Sequence, residues 1–167
     1  RLGKWCIDLW YKSQGIHNGE VTPYHESKSI SSENTFDESK TDVPFLMTEL
    51  VRLIEKICFE LRKDEKVAGC VAVKIKYSNF ETTSKQTTIS YTCADDEVIP
   101  IAKELFNKLY KKGEPIRLLG VRLSELTNEA VQTNLFNDVE CKGDLYKAID
   151  KVKDRFGMGL VKRASSR

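Results

Sequence analysis

The nine residues from Ile116 to Ser124 constrain the fold of this chain more than any other stretch. Apolar and other residues alternate along them, and the side chains of a strand alternate between its two faces, so the pattern predicts a β-strand. One face would enter a core, because it carries Leu119, Val121 and Leu123. The other face has a cation, a hydroxyl and a residue without a side chain, namely Arg122, Ser124 and Gly120. An extended polyanion could come close to such a face.

The chain supplies partners for this strand in the order β-α-β-β-α-β. Further strands are predicted at residues 28–36, 67–77 and 82–92. Helices are predicted at residues 41–66 and 95–112, where apolar residues recur at three- and four-residue spacing. Thr41 or Asp42 can cap the first helix, and Pro44 is tolerated in its first turn. Helices with one apolar stripe each cover only one face of a sheet. The predicted fold class is therefore α+β: a four-stranded, mainly antiparallel sheet with two helices on one face and the other face open.

Extra helices are predicted at both ends of this unit, at residues 2–14 and 145–156. Trp5 and Trp10 of the first helix need a surface to pack against, and without one they would form an exposed patch through which copies could self-associate. The chain starts with an arginine inside this helical pattern rather than with methionine, which predicts a piece of a longer protein. The basic tail at residues 162–167 is predicted to be mobile.

Composition and charge exclude several classes of protein. A formal net charge of +2 is too small to indicate nucleic acid by itself, so the distribution of charge has to carry any such inference. The five cysteines form no CxxC pair and no zinc-site spacing, and an odd number of scattered thiols indicates a reducing compartment. No signal peptide and no apolar run of membrane-spanning length is present in the sequence. A cytoplasmic location without membrane contact is therefore predicted.

Residues for catalysis are not evident in the sequence. The histidines, His17 and His25, fall in a predicted linker, where surface positions without a role are the simpler interpretation. No Ser-His-Asp or Cys-His arrangement, phosphate-binding loop or GxGxxG motif can be assembled. The acidic residues lie at helix starts and on solvated faces, not as the pair on a buried strand that two-metal phosphoryl transfer requires. The chain is predicted to bind rather than to catalyse, with no catalytic residue, metal ligand or cofactor of its own.

The open face of the predicted sheet is cationic. Lys74, Lys76 and Arg122, helped by Lys85 and Arg117, could neutralise phosphates, and the Ser and Thr hydroxyls between them could donate to phosphate oxygens. Such contacts read no bases, so affinity would be roughly 10⁻⁴ to 10⁻⁶ M at physiological salt and strongly salt-dependent. The alternative is that these charges only keep the surface soluble, and the pattern alone slightly favours it.

An RNA-binding sheet is a weaker alternative for the same face. Sheets of the RRM kind stack bases on paired aromatic residues of the middle strands. The tyrosines available here, Tyr77 and Tyr91, are predicted to point inward. A ferredoxin-like regulatory domain that binds a small ligand is a further alternative, but it needs a concave pocket that nothing in the sequence marks.

Residues 132–136 combine a polar start with two large apolar residues in a predicted loop. Gln132, Leu135 and Phe136 could anchor this loop in the pocket of a partner protein, which would make the chain a protein-docking module. Alternatively, Leu135 and Phe136 close over their own domain, and the pattern alone favours this second interpretation.

Four stretches in order carry a family resemblance. They are residues 2–5 (LGKW), 28–36 (KSISSENTF), 73–80 (VKIKYSNF) and 116–124 (IRLLGVRLS). With these stretches the chain resembles the C-terminal part of Y-family translesion DNA polymerases, close to the bacterial members, over most of its length. Each motif is moderately specific, and their order and spacing make the combination strong.

The resemblance implies a domain organisation. Residues 1–23 would be the end of the thumb, 24–29 a linker, and 30–127 the little finger, which is the accessory DNA-binding domain of this family. Residues 128–167 would hold a clamp-binding loop, a C-terminal helix and a basic tail. In the family the open sheet lies along the DNA major groove and holds the template-primer duplex against the polymerase core. The implied function is sequence-independent DNA binding during error-prone synthesis in DNA repair.

The resemblance also assigns DNA contacts position by position. The implied DNA-binding residues are Ser29, Ser31, Thr35, Lys74, Lys76, Lys85, Arg117 and Arg122. The family often has glycine where Ser31 stands, and the serine side chain leaves less room for a phosphate to approach the backbone there. Some relatives carry a basic residue where Leu118 stands, and that contact is missing from this chain.

One further partner, the sliding clamp, and one cofactor follow from the same resemblance. Gln132, Leu135 and Phe136 match the peptide by which bacterial polymerases bind the sliding clamp, although Thr133 stands where that peptide has leucine. This match reverses the preference for local closure of the loop. The palm carboxylates that bind two magnesium ions would lie upstream, so the longer protein would be a DNA-directed DNA polymerase and this chain alone would be inactive. A protein-docking module or a ferredoxin-like regulatory domain without DNA binding stays the alternative.

Overall fold

Eight helices and strands follow one another in the computed structural model, which describes residues 5–17, 19–20, 26–128 and 139–161. In chain order they are α1 (Trp5–Ser13), β1 (Ser29–Lys40), α2 (Val43–Lys63), β2 (Lys66–Tyr77), β3 (Thr82–Thr92), α3 (Asp95–Leu109), β4 (Ile116–Asn128) and α4 (Val139–Phe156).

Helix α2 forms around the predicted apolar stripe. Asp42 is its N-cap residue, but the Asp42 side chain makes no capping hydrogen bond, and its carbonyl oxygen accepts from Leu46 N at 3.0 Å. Pro44 occupies the first turn, where the N–H that proline lacks would have no partner in the helix. The stripe is fully buried at Leu46, Leu50, Ile54, Ile57 and Leu61.

Helix α3 has the predicted acidic start, and it tolerates a proline in its interior. Pro100 is exposed, whereas Ala102, Leu105 and Phe106 are buried against the rest of the core. A proline inside a helix costs about 3 kcal/mol. Burial of each large apolar side chain returns roughly 1.5–3 kcal/mol, so the packed face outweighs the proline.

The four strands form one sheet in the order β1-β4-β2-β3, and every neighbouring pair is antiparallel. The predicted fold class is confirmed. Strand β4, which contains residues 116–124, lies in the middle of this sheet between β1 and β2. The strand alternates from Leu118 to Ser124 because one of its faces enters the core and the other does not.

Both helices α2 and α3 cover the same face of the sheet. One core cluster joins their buried side chains to residues of β1, β2 and β4. The strand residues in this cluster include Phe36, Val71, Val73, Ile75, Tyr77, Leu119, Val121 and Leu123. The residues between them in sequence turn to the opposite side, which no described helix covers. We call this side the open face.

Three elements are longer than the sequence predicts. Strand β1 continues to Lys40, which pairs with Ile116 beyond an irregularity after Thr35, and β4 continues to Asn128, opposite Lys66. Residues 37–40 of β1 are polar, and residues 125–128 of β4 contain one apolar residue, Leu126, so neither extension shows a recognisable alternation. Helix α4 begins at Val139 rather than at Leu145. The predicted start was too late because residues 139–144 lack the apolar spacing that marks the second half of the helix.

Helix α4 is joined to the end of α2 by a buried arginine. Arg62 Nε and Nη2 donate to the Asp150 carboxylate at 2.6 and 2.9 Å, and Arg62 Nη1 lies 3.2 Å from Asp95 Oδ1. The guanidinium also lies 4.5 Å from the centre of the Tyr146 ring. Burial opposes the charge on Arg62, but the hydrogen bond and attraction of Asp150 outweigh it and raise the pKa of Arg62. We call this set of residues the Arg62 latch.

Tyr146 extends the latch to the start of α3. Its hydroxyl donates to the Asp96 carboxylate, and the Asp96 N–H donates back to it at 3.4 Å. Burial, together with the hydrogen bond to Asp96, raises the pKa of Tyr146 well above its usual range. No sequence pattern indicates this role, since Arg62 is one of several charged residues at the end of α2.

Helix α1 is exposed along its whole length. Trp5 and Trp10 are 74% and 54% accessible, and Gly15 after the helix has φ +77°, as expected of a helix stop. An exposed apolar patch is therefore confirmed, and self-association through it stays a prediction. None of the helices within the described ranges combines the length and the apolar character needed to cross a membrane.

Candidate nucleic-acid interface

Strand β1 presents alternate residues to the open face. Asn34 points to the helices, where its Nδ2 donates to Glu49 Oε1 of α2 at 2.7 Å, and Phe36 enters the core. The predicted contacts Ser29, Ser31 and Thr35 have the opposite parity, and all three are exposed. They pair with Ser124, Arg122 and Leu118 of β4, so they share one surface with the predicted arginine.

Arg122 lies at the middle of this surface. It is exposed, opposite Ser31 on one side and Ala72 on the other. Within the described ranges no carboxylate comes within 4.0 Å of its guanidinium. A hydroxyl beside an arginine without an acidic partner forms a natural contact for a phosphate oxygen.

Lys74 has an acidic partner, Glu33, that was not predicted from the sequence. Gly120 lies between Glu33 of β1 and Lys74 of β2, and the Lys74 ammonium reaches across it to Glu33 Oε1 at 2.9 Å and Oε2 at 3.1 Å. A Cβ at position 120 would lie 2.7 Å from Glu33 Cγ. The glycine therefore makes room for an ion pair rather than for a close polyanion, and Glu33 offsets part of the positive charge of Lys74.

Lys76 and Arg117 meet over one aromatic ring at the end of the sheet. Lys76 pairs with Leu118 and Tyr77 with Ile116, so Arg117 is an extra residue at an irregularity in the ladder. The Lys76 ammonium and the Arg117 guanidinium lie 4.9 and 5.0 Å from the centre of the Phe80 ring. Neither cation has a carboxylate within 4.0 Å in the part of the chain that the structure describes.

Lys85 does not belong to this surface. It pairs with Val73, which is completely buried in the core, and directly opposed residues share a face of the sheet. Lys85 therefore lies on the helix side of the sheet, and it is exposed on the outer strand β3. The prediction that Lys85 lines the open face with Lys74 and Lys76 was wrong. Strand β3 is polar on both faces, so its sequence does not reveal its register.

One of the two tyrosines predicted to point inward does so. Tyr77 is 1% accessible, and its hydroxyl donates to Leu109 O at 2.9 Å. Tyr91 is 44% accessible, so its prediction was wrong. An irregularity between Ala68 and Cys70 changes the local pairing there, and a Cβ at Gly69 would lie 2.9 Å from the Tyr91 ring.

Two residues of this site, Glu33 and Phe80, were not predicted from the sequence. Glu33 was recoverable, because it alternates with Ser31 and Thr35 and must share their face. Phe80 carried no signal beyond its place in a turn. Residues 132–136, which were predicted to bind a sliding clamp, lie outside the described residues. In the described ranges no group of three or more His, Cys, Asp or Glu side chains could hold a metal ion.

The surface depressions give no support to a small-ligand site. One is lined by residues 34–38 and Lys40 of β1, and the other by the turn between α2 and β2 with Ser27. Both are open to solvent, and none of the predicted DNA-binding cations lines either of them.

Known proteins match most of the chain. The model of the impB/mucB/samB family C-terminal domain matches residues 27–135, which include every residue of the open face. The DNA polymerase IV of Clostridium kluyveri is 29% identical over 178 residues, covering 99% of this chain and 44% of that protein. The DNA polymerase IV of Methanoculleus marisnigri is 36% identical over 126 residues, covering 75% of this chain and 35% of that protein. The chain spans less than half the length of these curated relatives.

A solved structure shares the fold. The chain in the insertion ternary complex of Dbh DNA polymerase aligns with a TM-score of 0.54 at 18% sequence identity. The alignment covers 73% of this chain and 35% of that one. At this identity the likeness concerns the fold alone.

Proposed function

The chain belongs to the impB/mucB/samB family, whose C-terminal domain it matches, and from that membership we propose that its open face binds duplex DNA independently of sequence. The resemblance to Y-family polymerases found in the four sequence stretches is confirmed by the same match and by relatives named DNA polymerase IV. One observation carries the proposal. Arg122, Lys76 and Arg117 reach one uncovered surface of the sheet, and no described carboxylate neutralises them.

The composition of the surface favours contacts to phosphates over contacts to bases. Serine and threonine hydroxyls alternate with the cations, and such side chains position a protein on the duplex backbone. The open face of the sheet also carries no helix that could insert into the major groove, where base edges are read. Binding would therefore hold the duplex without selecting its sequence.

We propose that this DNA-binding surface belongs to a longer polymerase. We infer that the chain is the little finger and flanking segments of a lesion-bypass DNA polymerase, holding the template-primer duplex during error-prone synthesis in DNA repair. The support is that the chain covers 44% and 35% of two relatives named DNA polymerase IV. Nucleotidyl transfer and its magnesium ions would belong to a palm domain outside this chain, in the cytoplasm.

Titration of a labelled duplex at several salt concentrations tests the proposed grip. We expect equal affinity for unrelated sequences, with Kd roughly 10⁻⁴ to 10⁻⁶ M near physiological salt and tighter at low salt. Three phosphate contacts predict a log Kobs that falls against log salt with a slope of about −2.7 or steeper. Fluorescence anisotropy measures both quantities. Salt-independent binding, or no binding at low ionic strength, would contradict the proposal.

A sliding clamp is the second proposed partner. Gln132, Leu135 and Phe136 retain the polar start and the two apolar anchors of a clamp-binding peptide, and they follow closely on the end of β4 at Asn128. The anchors do not overlap the open face, so both partners could bind at once.

Truncation of the two apolar anchors tests this partner. We expect Leu135→Ala/Phe136→Ala to weaken binding of a purified sliding clamp by at least about tenfold, because buried apolar anchors dominate small interfaces. Isothermal titration calorimetry gives the affinity. The matched control is Thr133→Ala/Asn134→Ala, which alters the two positions outside the anchor set and should leave Kd unchanged. Equal affinities for the two variants would remove the clamp from the list of partners.

A further inference from the structure

The turn between β2 and β3 holds Phe80 in an unusual conformation. Phe80 has φ +67°, a region that aromatic residues rarely adopt and that glycine or asparagine fill more easily. The turn is nevertheless well tied, because Phe80 N donates to Tyr77 O at 3.0 Å and Ser78 N donates to Pro115 O at 2.9 Å. The Phe80 side chain is 60% accessible, so burial in the core does not account for an aromatic residue here. A residue kept in such a conformation suggests a role for its side chain.

The ring of Phe80 brings together two cations from different strands. Lys76 comes from β2 and Arg117 from the irregularity at the start of β4. Each lies close to 5 Å from the ring centre, within the range in which the negative face of an aromatic ring attracts a cation. The two charges are thus at most about 10 Å apart, one Debye length at 0.1 M salt, so they repel each other.

The repulsion is not relieved inside the described chain. Lys74 has Glu33 at 2.9 Å, whereas no described carboxylate lies within 4.0 Å of Lys76 or Arg117. Two flexible cations without such an anchor would lose side-chain freedom when they close on a phosphate. A ring that already holds both lowers that entropic cost.

We propose that Phe80 is a positioning residue, whose ring holds Lys76 and Arg117 together as a two-pronged grip on one stretch of phosphate backbone. This inference rests on the proposed binding of duplex DNA. It adds a residue without charge or hydrogen-bonding groups to the site. The ring acts through the two cations, so its loss should weaken their contacts without removing any charge.

The variant Phe80→Leu tests this role, because leucine keeps an apolar side chain and removes the aromatic face. We expect duplex affinity to fall about three- to tenfold at fixed salt. The slope of log Kobs against log salt should stay unchanged, because both cations remain to release counterions. Phe80→Trp, which restores an aromatic face, should return the affinity to within about twofold of the original. By contrast, Lys76→Ala/Arg117→Ala should make the salt slope less steep by about 1.8, the value for two phosphate contacts.

Combination of the variants separates positioning from direct contact. In the Lys76→Ala/Arg117→Ala background, Phe80→Leu should cause no further loss, since the ring has nothing left to position. A further loss of the same size would mean that the ring touches DNA itself and would overturn the inference. Equal affinity of Phe80→Leu and the unaltered chain would overturn it as well. Absence of any duplex binding by the unaltered chain would instead remove the proposed function.

One measurement on the free protein tests the geometry without DNA. The ring should shift the NMR signals of the Arg117 side-chain protons upfield, and Phe80→Leu should abolish that shift. Thermal unfolding of both proteins checks that the turn still folds. An Arg117 spectrum that Phe80→Leu leaves unchanged would count against the proposed arrangement.

Discussion

Replacing Lys76, Arg117 and Arg122 together with alanine is expected to remove most of the duplex affinity of the chain. These cations are the ones on the open face that no described carboxylate neutralises. Loss of three phosphate contacts should make the salt slope less steep by about 2.7. Affinity at low salt should fall roughly a hundredfold or more, since counterion release supplies most non-specific binding. Anisotropy titrations at three or more salt concentrations give both values.

A matched control separates position from net charge. Lys56, Lys63 and Lys108 are exposed on α2 and α3, on the other side of the molecule from the open face. Their triple replacement with alanine removes the same three charges and should change affinity by no more than about threefold. A loss equal to that of the first triple variant would show that affinity follows net charge and not the open face.

Removing a negative charge from the open face should have the opposite effect to removing its cations. Glu33→Gln removes an acidic group from the open face and frees the Lys74 ammonium that it holds at 2.9 Å. The variant should therefore bind duplex more tightly than the original, with a slope steeper by about one contact. Weaker binding after this change would place the duplex elsewhere on the molecule.

Replacing Arg62 with methionine is expected to destabilise the fold by about 3–5 kcal/mol. The Arg62 side chain is 10% accessible, and its partners Asp95 and Asp150 are 6% and 17% accessible. Methionine fills similar space but leaves two largely buried carboxylates without their cation. Urea unfolding followed by circular dichroism gives the loss as a shift in midpoint at constant m. Hydrogen exchange should show faster opening of α4 than of the sheet, because the latch is its main described attachment.

Two comparisons show whether burial causes that loss. Lys63→Met changes the residue that follows Arg62 in α2. The Lys63 ammonium lies 3.9 Å from the Asp154 carboxylate of α4, and both side chains are more than half exposed. This exposed pair should contribute less than about 1 kcal/mol. Adding Asp95→Asn and Asp150→Asn to Arg62→Met should recover part of the stability, since neutral amides cost less to bury than carboxylates that have lost the charge of Arg62. If Arg62→Met were as mild as Lys63→Met, the latch would have no structural importance.

The sequence predicted well wherever one face of an element is buried. The alternation in β2 and β4 placed Lys74, Lys76 and Arg122 on the open face correctly, because the core fixes the register of both strands. The spacing in α2 and α3 likewise revealed that both helices cover the same side. The fold class followed from these elements alone.

The sequence predicted poorly wherever pairing is irregular or depends on strand order. Lys85 was misplaced because β3 is polar throughout, and Tyr91 because the ladder shifts near Gly69. The Glu33–Lys74 ion pair requires knowing that β4 separates β1 from β2 by one strand. The Arg62 latch joins residues 88 positions apart in sequence, beyond the reach of any local pattern.

The placement of Lys85 has a consequence for how the molecule behaves in concentrated solution. Strand β3 is at the rim of the sheet, with one row of backbone groups that no described strand pairs. A second chain that added a strand there and continued the layer of helices would cover the side of the sheet on which the Lys85 ammonium lies exposed, and burying that charge is costly. Because Lys85 lies on the helix side of the edge strand rather than on the open face, we expect it to disfavour edge-to-edge aggregation.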